Sequence, residues 1–194
     1  MRTQGIAFTL ALMLLSFTTL TAGQSLEVER LALNRVNEGL VLDADFKIDL
    51  SGRLDEILKN GVPLVFAIEF ELAKSRWFWL DREVGKSRID LKLSYNPLLR
   101  QFRITTGQIQ RNYSSYNDAI NTMSHLRGWL ALVTEQVPDE GGYVAGLRMR
   151  LDSSQLPRPF QLSAITDRGL NLASQWKRQD LGGDTKGTVT QVAK

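Results

Sequence analysis

Glu69 and Glu71 are the first residues in this sequence whose type and spacing could support catalysis. Residues two apart on a strand project from the same face, about 7 Å apart along the backbone. Inverting glycosidases hold their two catalytic carboxyl groups about 6.5–9.5 Å apart, so the pair suits glycan hydrolysis, with Asp81 as a further acid or base. Any polar strand face produces the same pattern, however, and both glutamates alternate with apolar residues. Glycan hydrolysis is therefore kept as the alternative to a binding function.

A second candidate site is the segment that reads RWFWLDR, at residues 76–82. In an extended strand its two tryptophans project to one side and the residue between them to the other. If the two tryptophans face solvent, they stand between charged neighbours and form a stacking platform for a sugar ring or a peptide. Tryptophan is highly buried on average, which favours core packing, yet no other segment offers a better binding site. The predicted binding residues are Arg76, Trp77, Trp79 and Asp81.

The remaining residue types exclude several kinds of site. The chain has no cysteine and a single histidine, His125, so neither a disulfide nor a zinc site of the usual composition can form. His125 is expected on the surface, and no Gly-x-Ser-x-Gly elbow exists to present a nucleophile. Asp43 and Asp45 share a strand face, but hard cations need more oxygen ligands in a loop. We predict no catalytic residue, no metal, no cofactor and no nucleic-acid partner.

The first 23 residues have the pattern of a signal peptide. Arg2 supplies positive charge, Ile6–Leu20 supplies an apolar run, and Thr21-Ala22-Gly23 supplies the small residues that precede a cleavage site. Spanning a bilayer needs about 20 apolar residues, and this run is shorter and interrupted by hydroxyl groups. We expect export to the periplasm with cleavage. The alternative is anchoring to the inner membrane by an uncleaved N-terminal helix.

Beyond the leader, apolar and polar residues alternate along many segments, which is typical of antiparallel strands with one buried face. Two helices interrupt them, one between Ser51 and Asn60-Gly61 and one between Ser115 and Gly128, and a short helical turn is expected at 161–166. Residues 24–181 are predicted to form a single mostly β domain, an antiparallel β-sandwich, with an immunoglobulin-like version and a closed barrel as further options. Residues 182–194 are predicted to be a flexible tail. The predicted strands cover residues 26–35, 40–48, 64–72, 77–82, 88–95, 100–105, 129–136, 143–151 and 170–179.

Charge is distributed unevenly along the chain. Residues 24–73 carry 5 Lys/Arg against 10 Asp/Glu, residues 74–111 carry 9 against 3, and residues 112–194 carry 9 against 8. A basic middle third could face an anionic polymer or lipid surface. Alternatively, acidic and basic strands lie side by side and their charges pair across the sheet, which is the interpretation we favour.

Five motifs, taken in their order along the chain, resemble a known family. They read NGVPLVFAIEFEL, RWFWLD, LSYNPLLRQFR, LRMRLDSSQLPRPFQ and LASQW. Over residues 26–181 they resemble a proteobacterial family of exported proteins, the domain of unknown function 4390, some of whose members are called proline-rich exported proteins. The resemblance implies one exported β-rich domain without an assigned activity, and a membrane sensor kinase as a partner in envelope signalling.

Most of this shared pattern is explained as scaffold, and its charged residues are expected to form cross-strand ion pairs. The residues concerned are Arg76, Asp81, Arg100, Arg103, Arg148, Arg150 and Asp152. The overall prediction is an exported, non-enzymatic binding or protein-interaction module whose partner is an unknown protein or an anionic envelope component. An envelope glycan enzyme is the first alternative, and a protein that lends a sheet edge to another chain is the second.

Overall fold

Alternating apolar and polar side chains build nine strands in the part of the chain that the structure describes. The structure is a computed structural model, and it describes residues 25–50, 52–74, 82–137, 142–163 and 168–181. The predicted signal peptide and tail lie outside these residues. The strands are β1 (Ser25–Val36), β2 (Gly39–Asp49), β3 (Leu64–Lys74), β4 (Arg82–Asn96), β5 (Gln101–Thr106), β6 (Ile109–Tyr113), β7 (His125–Val133), β8 (Tyr143–Leu151) and β9 (Lys177–Leu181).

The strands form two antiparallel sheets that pack face to face. The small sheet has the order β1-β2-β7, and the large sheet has the order β6-β5-β4-β3-β8-β9. The prediction of a mostly β fold with antiparallel sheets is confirmed. The division into three and six strands differs from the four-plus-three division of immunoglobulin constant domains.

The core lies between the two sheets and is built from the inward positions of each strand. On β3, Phe66 and Phe70 are buried, and the Phe70 ring meets Trp129 of β7 edge-on, with ring centroids 6.4 Å apart. Burying a side chain of this size stabilises the fold by about 1.5–3 kcal/mol. At Gly85 of β4 the sheets approach so closely that a Cβ atom would lie 3.0 Å from both Leu132 methyl groups. At the centre of the large sheet the inner face is therefore used for packing, and the outer face is free to carry a site.

Helix α1 (Arg53–Lys59) and helix α2 (Tyr116–Met123) occupy the two predicted helical regions, with a third short helix, α3 (Arg158–Ser163), after β8. α1 buries Leu54, Ile57 and Leu58, and the chain turns away at Gly61, which has φ 83°. Ser115 occupies the N-cap of α2 without a side-chain hydrogen bond.

The expected extension of α2 to Gly128 is wrong. The helix ends at Met123, and β7 begins at His125. The Phe46 amide donates to the Ser124 carbonyl at 2.8 Å, and the Gly128 amide donates to Asp43 Oδ1 at 2.7 Å. Residues 125–128 therefore belong to β7 and contact β2, although their local pattern predicts a longer helix.

The start of α3 and the limits of two predicted strands also differ from the prediction. α3 begins at Arg158 instead of residue 161, and the end of the predicted strand 129–136 is a 3-10 turn over Thr134–Gln136. Of the predicted strand 170–179, Leu170 ends another 3-10 turn, Ala173 makes a single bridge to Arg150, and regular pairing begins only at Lys177. Within the described residues, no helix is both long and apolar enough to cross a membrane.

Candidate functional site

The outer face of the large sheet gathers charged side chains around the central strand β3. Glu69 stands between Arg88 of β4 and Arg148 of β8, and Glu71 stands between Lys86 and Gly146. This arrangement follows from the period of two, because the core takes the other set of β3 positions. We call Glu69, Arg88, Arg148, Arg150 and Asp152 the ionic network.

Glu69 lies at the centre of the ionic network, bound through both carboxylate oxygens. Arg148 Nε donates to Oε2 at 2.6 Å, and Arg150 Nε donates to Oε1 at 2.9 Å. Burial by itself would raise the pKa of Glu69, but the hydrogen bonds from these two arginines outweigh it and the pKa is lowered. The two arginines therefore stabilise the ionised form of Glu69.

Asp152 ties the end of β8 to β4 and is only 6% exposed. Its Oδ2 accepts from Arg88 Nη2 at 2.5 Å, and its Oδ1 accepts from the Ser154 hydroxyl at 2.7 Å. Burial acts to raise the pKa of Asp152, but the hydrogen bonds from Ser154 and Arg88 lower it overall. Arg88 also donates from Nε to Asp90 at 2.7 Å, and its two carboxylate partners raise its own pKa.

Beside the ionic network, Trp176 lies across the sheet where Gly146 leaves room for it. A Cβ atom on Gly146 would lie 2.9 Å from Glu71 Cγ and 3.2 Å from Trp176 Cε3. The guanidinium carbon of Arg148 stands 4.6 Å from the centre of the Trp176 ring, a favourable cation–π distance. Arg178 Nη2 donates to Glu71 Oε1 at 3.3 Å on the far side.

These side chains border an open depression of about 500 Å³, which we call the Trp176 hollow. It combines an indole, two cations and three carboxylates within one concave surface. Its lining includes Glu69, Glu71, Glu83, Lys86, Arg88 and Trp176. Sequence reasoning noted LASQW only as a motif and did not select Trp176, because nothing local shows that β9 will lie next to β8.

The predicted binding residues Arg76, Trp77, Trp79 and Asp81 lie outside the described residues, as does most of the predicted strand 77–82. Their segment connects β3 to β4, the two strands that carry most of the Trp176 hollow. The predicted sharing of one face by Glu69 and Glu71 is confirmed by their register.

Asp43, Asp45 and His125 make contacts that support the scaffold. Asp45 accepts from Arg30 Nε at 2.6 Å and from Arg127 as well, and the two hydrogen bonds lower its pKa. His125 is exposed, with Nδ1 2.7 Å from the Asn121 carbonyl. In the part of the chain that the structure describes, no group of three or more His, Cys, Asp or Glu residues could hold a metal ion.

The predicted cross-strand ion pairs form at the centre of the large sheet and do not form at its β5–β6 end. The prediction is confirmed for Arg148, Arg150 and Asp152. It is wrong for Arg100 and Arg103, which form no ion pair with any described residue; Arg103 Nε donates instead to the neutral Asn112 at 2.9 Å. The reason is local composition, because β5 and β6 contain no acidic residue.

A comparison with known protein families gives a match over most of the chain. A family model described as "Domain of unknown function (DUF4390)" matches residues 23–180. The chain belongs to the DUF4390 family. No curated protein and no solved structure matches the chain. The ionic network and the Trp176 hollow thus lie within the DUF4390 domain.

Proposed function

We propose that this DUF4390 protein is an exported, non-enzymatic binding module that holds a partner protein in the periplasm. The observation that carries the proposal is the Trp176 hollow, a concave and largely apolar surface on the outer face of the large sheet, lined by side chains of both charges. On the opposite face of β3 and β8, the side chains are buried in the core.

The state of the carboxylates supports binding over glycan hydrolysis. A general acid must carry a proton near neutral pH, which usually requires a raised pKa. Glu69 has a lowered pKa and two arginine partners, and Glu71 accepts from Arg178. Both side chains act as acceptors in a scaffold, and the lowered pKa of Glu69 is opposite to that of a general acid.

The composition of the hollow suits a polypeptide ligand. Tryptophan and arginine dominate the binding energy of protein interfaces, and both stand here on a rigid sheet. Lys86 and Glu83 pair with each other at 3.0 Å on the rim and are exposed, so both signs of charge are offered to a partner. A segment with one apolar side chain between charged groups would match this surface.

The RWFWLDR segment adds a second contact to the same proposal. It joins β3 and β4 directly, and these two strands carry most of the hollow. We therefore expect Trp77 and Trp79 to contact the same partner. The family association with a membrane sensor kinase makes the periplasmic part of such a kinase our first partner candidate.

The test is a crosslinking capture from envelope fractions with the exported chain as bait. We expect a defined set of captured proteins to fall at least tenfold with Trp176→Ala, and again with the double variant Trp77→Ala and Trp79→Ala. The matched control is Leu162→Ala, since Leu162 is 73% exposed on α3 and takes no part in the hollow. Circular dichroism of each variant shows that the fold is kept.

Two results would count against the proposal. Equal capture by the folded Trp176→Ala variant would remove the hollow as the contact surface. Release of soluble sugar from purified peptidoglycan, lost in a Glu71→Gln variant, would support the glycan enzyme in its place.

A further inference from the structure

The turn between β4 and β5 exposes two adjacent leucines at its tip. Leu98 is 93% and Leu99 is 61% exposed. Single apolar residues are common on protein surfaces, but two adjacent leucines that project from one turn form a small exposed apolar patch. The residues Asn96–Arg100 are called the NPLLR turn below.

The NPLLR turn holds its leucines in one position through its own hydrogen bonds. Asn96 Oδ1 accepts from the backbone amides of Leu98 and Leu99 at 3.0 and 3.1 Å, and Pro97 restricts the backbone at the start of the turn. Arg100 closes the turn with φ 51°, a left-handed conformation that is uncommon outside glycine. A preformed turn loses little entropy when it inserts into a ligand surface.

The cations around the turn are available to an anionic ligand. Lys92, Arg100 and Arg103 form no ion pair with any described residue, because β5 and β6 lack acidic residues. The nearest acid on β4, Asp90, is already bound to Arg88.

A shallow depression of about 320 Å³ separates the leucines from Arg103. Its polar lining consists of Ser94, Asn96, Gln101, Arg103 and Asn112. A hydroxyl, amides and a guanidinium are suitable donors for a phosphate group, and the apolar tip stands at the edge of the same depression. The combination matches a phospholipid, whose phosphate lies a short distance above its acyl chains.

The chain enters the domain at the same end of the sandwich as the NPLLR turn. Ser25, the first residue of β1, pairs with Asp49 at the end of β2. Asp49 precedes Leu50, whose backbone contacts Tyr116.

From Tyr116 the connection continues through a row of aromatic rings to the turn. The Tyr116 and Phe102 ring centroids are 5.7 Å apart, and those of Phe102 and Tyr95 are 4.6 Å apart. Tyr95 immediately precedes the turn. The start of β1 therefore lies at the end of the sandwich from which Leu98 and Leu99 project.

We propose that the NPLLR turn docks this protein on an anionic phospholipid surface, with Leu98 and Leu99 entering the acyl boundary and Arg100 and Arg103 binding headgroup phosphates. Apolar side chains inserted at the interface and cations at headgroup level are the usual elements of peripheral membrane binding. The site is separate from the Trp176 hollow and does not depend on the proposed partner. It would hold the binding module beside the membrane in which a sensor partner resides.

The test is co-sedimentation with vesicles of phosphatidylcholine alone or mixed equally with phosphatidylglycerol. We expect binding to the mixed vesicles only, weakened by high salt because charge pairing contributes. The double variant Leu98→Ser and Leu99→Ser should weaken binding roughly tenfold, and Arg103→Gln about fivefold. The control variants Leu162→Ser and Arg158→Gln remove an exposed leucine and an exposed arginine from α3 and should bind as the parent does.

All variants share one N-terminus, so their differences are independent of the leader. Equal binding to both vesicle types, or unchanged binding by the folded leucine variant, would overturn the proposal. Loss of protein capture in the leucine variant without any vesicle binding by the parent would assign the turn to a protein partner instead. The Trp176→Ala variant should bind vesicles normally, which separates this result from the test of the hollow.

Discussion

The centre of the large sheet and its β5–β6 end use the same residue type in opposite ways. At the centre, Arg148 and Arg150 meet the carboxylate of Glu69 at 2.6 and 2.9 Å. At the β5–β6 end, Arg103 meets only the amide of Asn112, and Arg100 stands on an exposed turn. The difference lies in the acidic residues, which β3 supplies on its outer face and β5 and β6 do not.

This difference separates arginines that support the scaffold from arginines that are free for a ligand. A half-buried cation with two partners stabilises the sheet, and removing a partner leaves its charge unsatisfied. An exposed cation without a partner adds little to stability. Substitution should therefore reduce folding stability at the centre and reduce binding at the end.

The largest effect on stability is expected for Asp152→Ala. The change removes the acceptor of Arg88 and of the Ser154 hydroxyl and should lower the free energy of unfolding by about 2 kcal/mol. Urea denaturation followed by tryptophan fluorescence measures it. Arg103→Ala, the matched change at the β5–β6 end, should alter stability by less than about 0.5 kcal/mol. Similar losses in both variants would contradict the distinction between the two regions.

The second prediction concerns pH. Since the pKa values of Glu69 and Asp152 are lower in the folded state, their contribution to stability is fully present above the unfolded values near about 4. It is lost as the pH falls below that value toward the lowered folded pKa. The urea midpoint of the parent should hold from neutral pH to about pH 5 and then drop.

Glu69→Gln should flatten part of this drop, because the variant has no carboxyl group at that position to protonate. The Arg103→Ala variant should keep the pH profile of the parent. A parent whose stability rises below pH 4 would show that these carboxylates are not stabilised as ions in the folded state.

The smallest effect is expected for Asp90→Ala. Asp90 is half exposed and binds Arg88 at 2.7 Å, but Arg88 keeps its bond to Asp152. Stability should fall by less than about 0.5 kcal/mol. A double-mutant cycle with Asp152→Ala would sharpen the comparison. A large coupling free energy between the two substitutions would mean that Asp90 and Asp152 position Arg88 jointly.

Several features of this protein could be predicted from local patterns because their cause is local. The outward side of Glu69 and Glu71 follows from alternation along one strand, and α1 follows from the spacing of Leu54, Ile57 and Leu58. Residues 125–128 show where this reasoning fails. Locally they extend a helix, but hydrogen bonding to β2 takes them into a strand because long-range pairing overrides weak propensity.

The candidate site was less accessible to prediction than the fold. Trp176 carried no signal of its own, since its place depends on β9 lying beside β8 and on the missing side chain of Gly146. The predicted ion pairs were right where acidic strands are neighbours and wrong for Arg100 and Arg103, because β5 and β6 supply no acidic residue. Knowing the charges along the chain was not enough without the strand order.

The sequence by itself determined which faces of the strands are apolar, that no disulfide can form, and that the chain belongs to the DUF4390 family. These properties depend on residue type and on spacing within one segment. The tertiary structure alone decided which charges meet, as Arg148 reaches Glu69 across 79 positions of the chain. Contacts of that range depend on the order of strands in the sheet, which the packing of the whole core selects and no local pattern encodes.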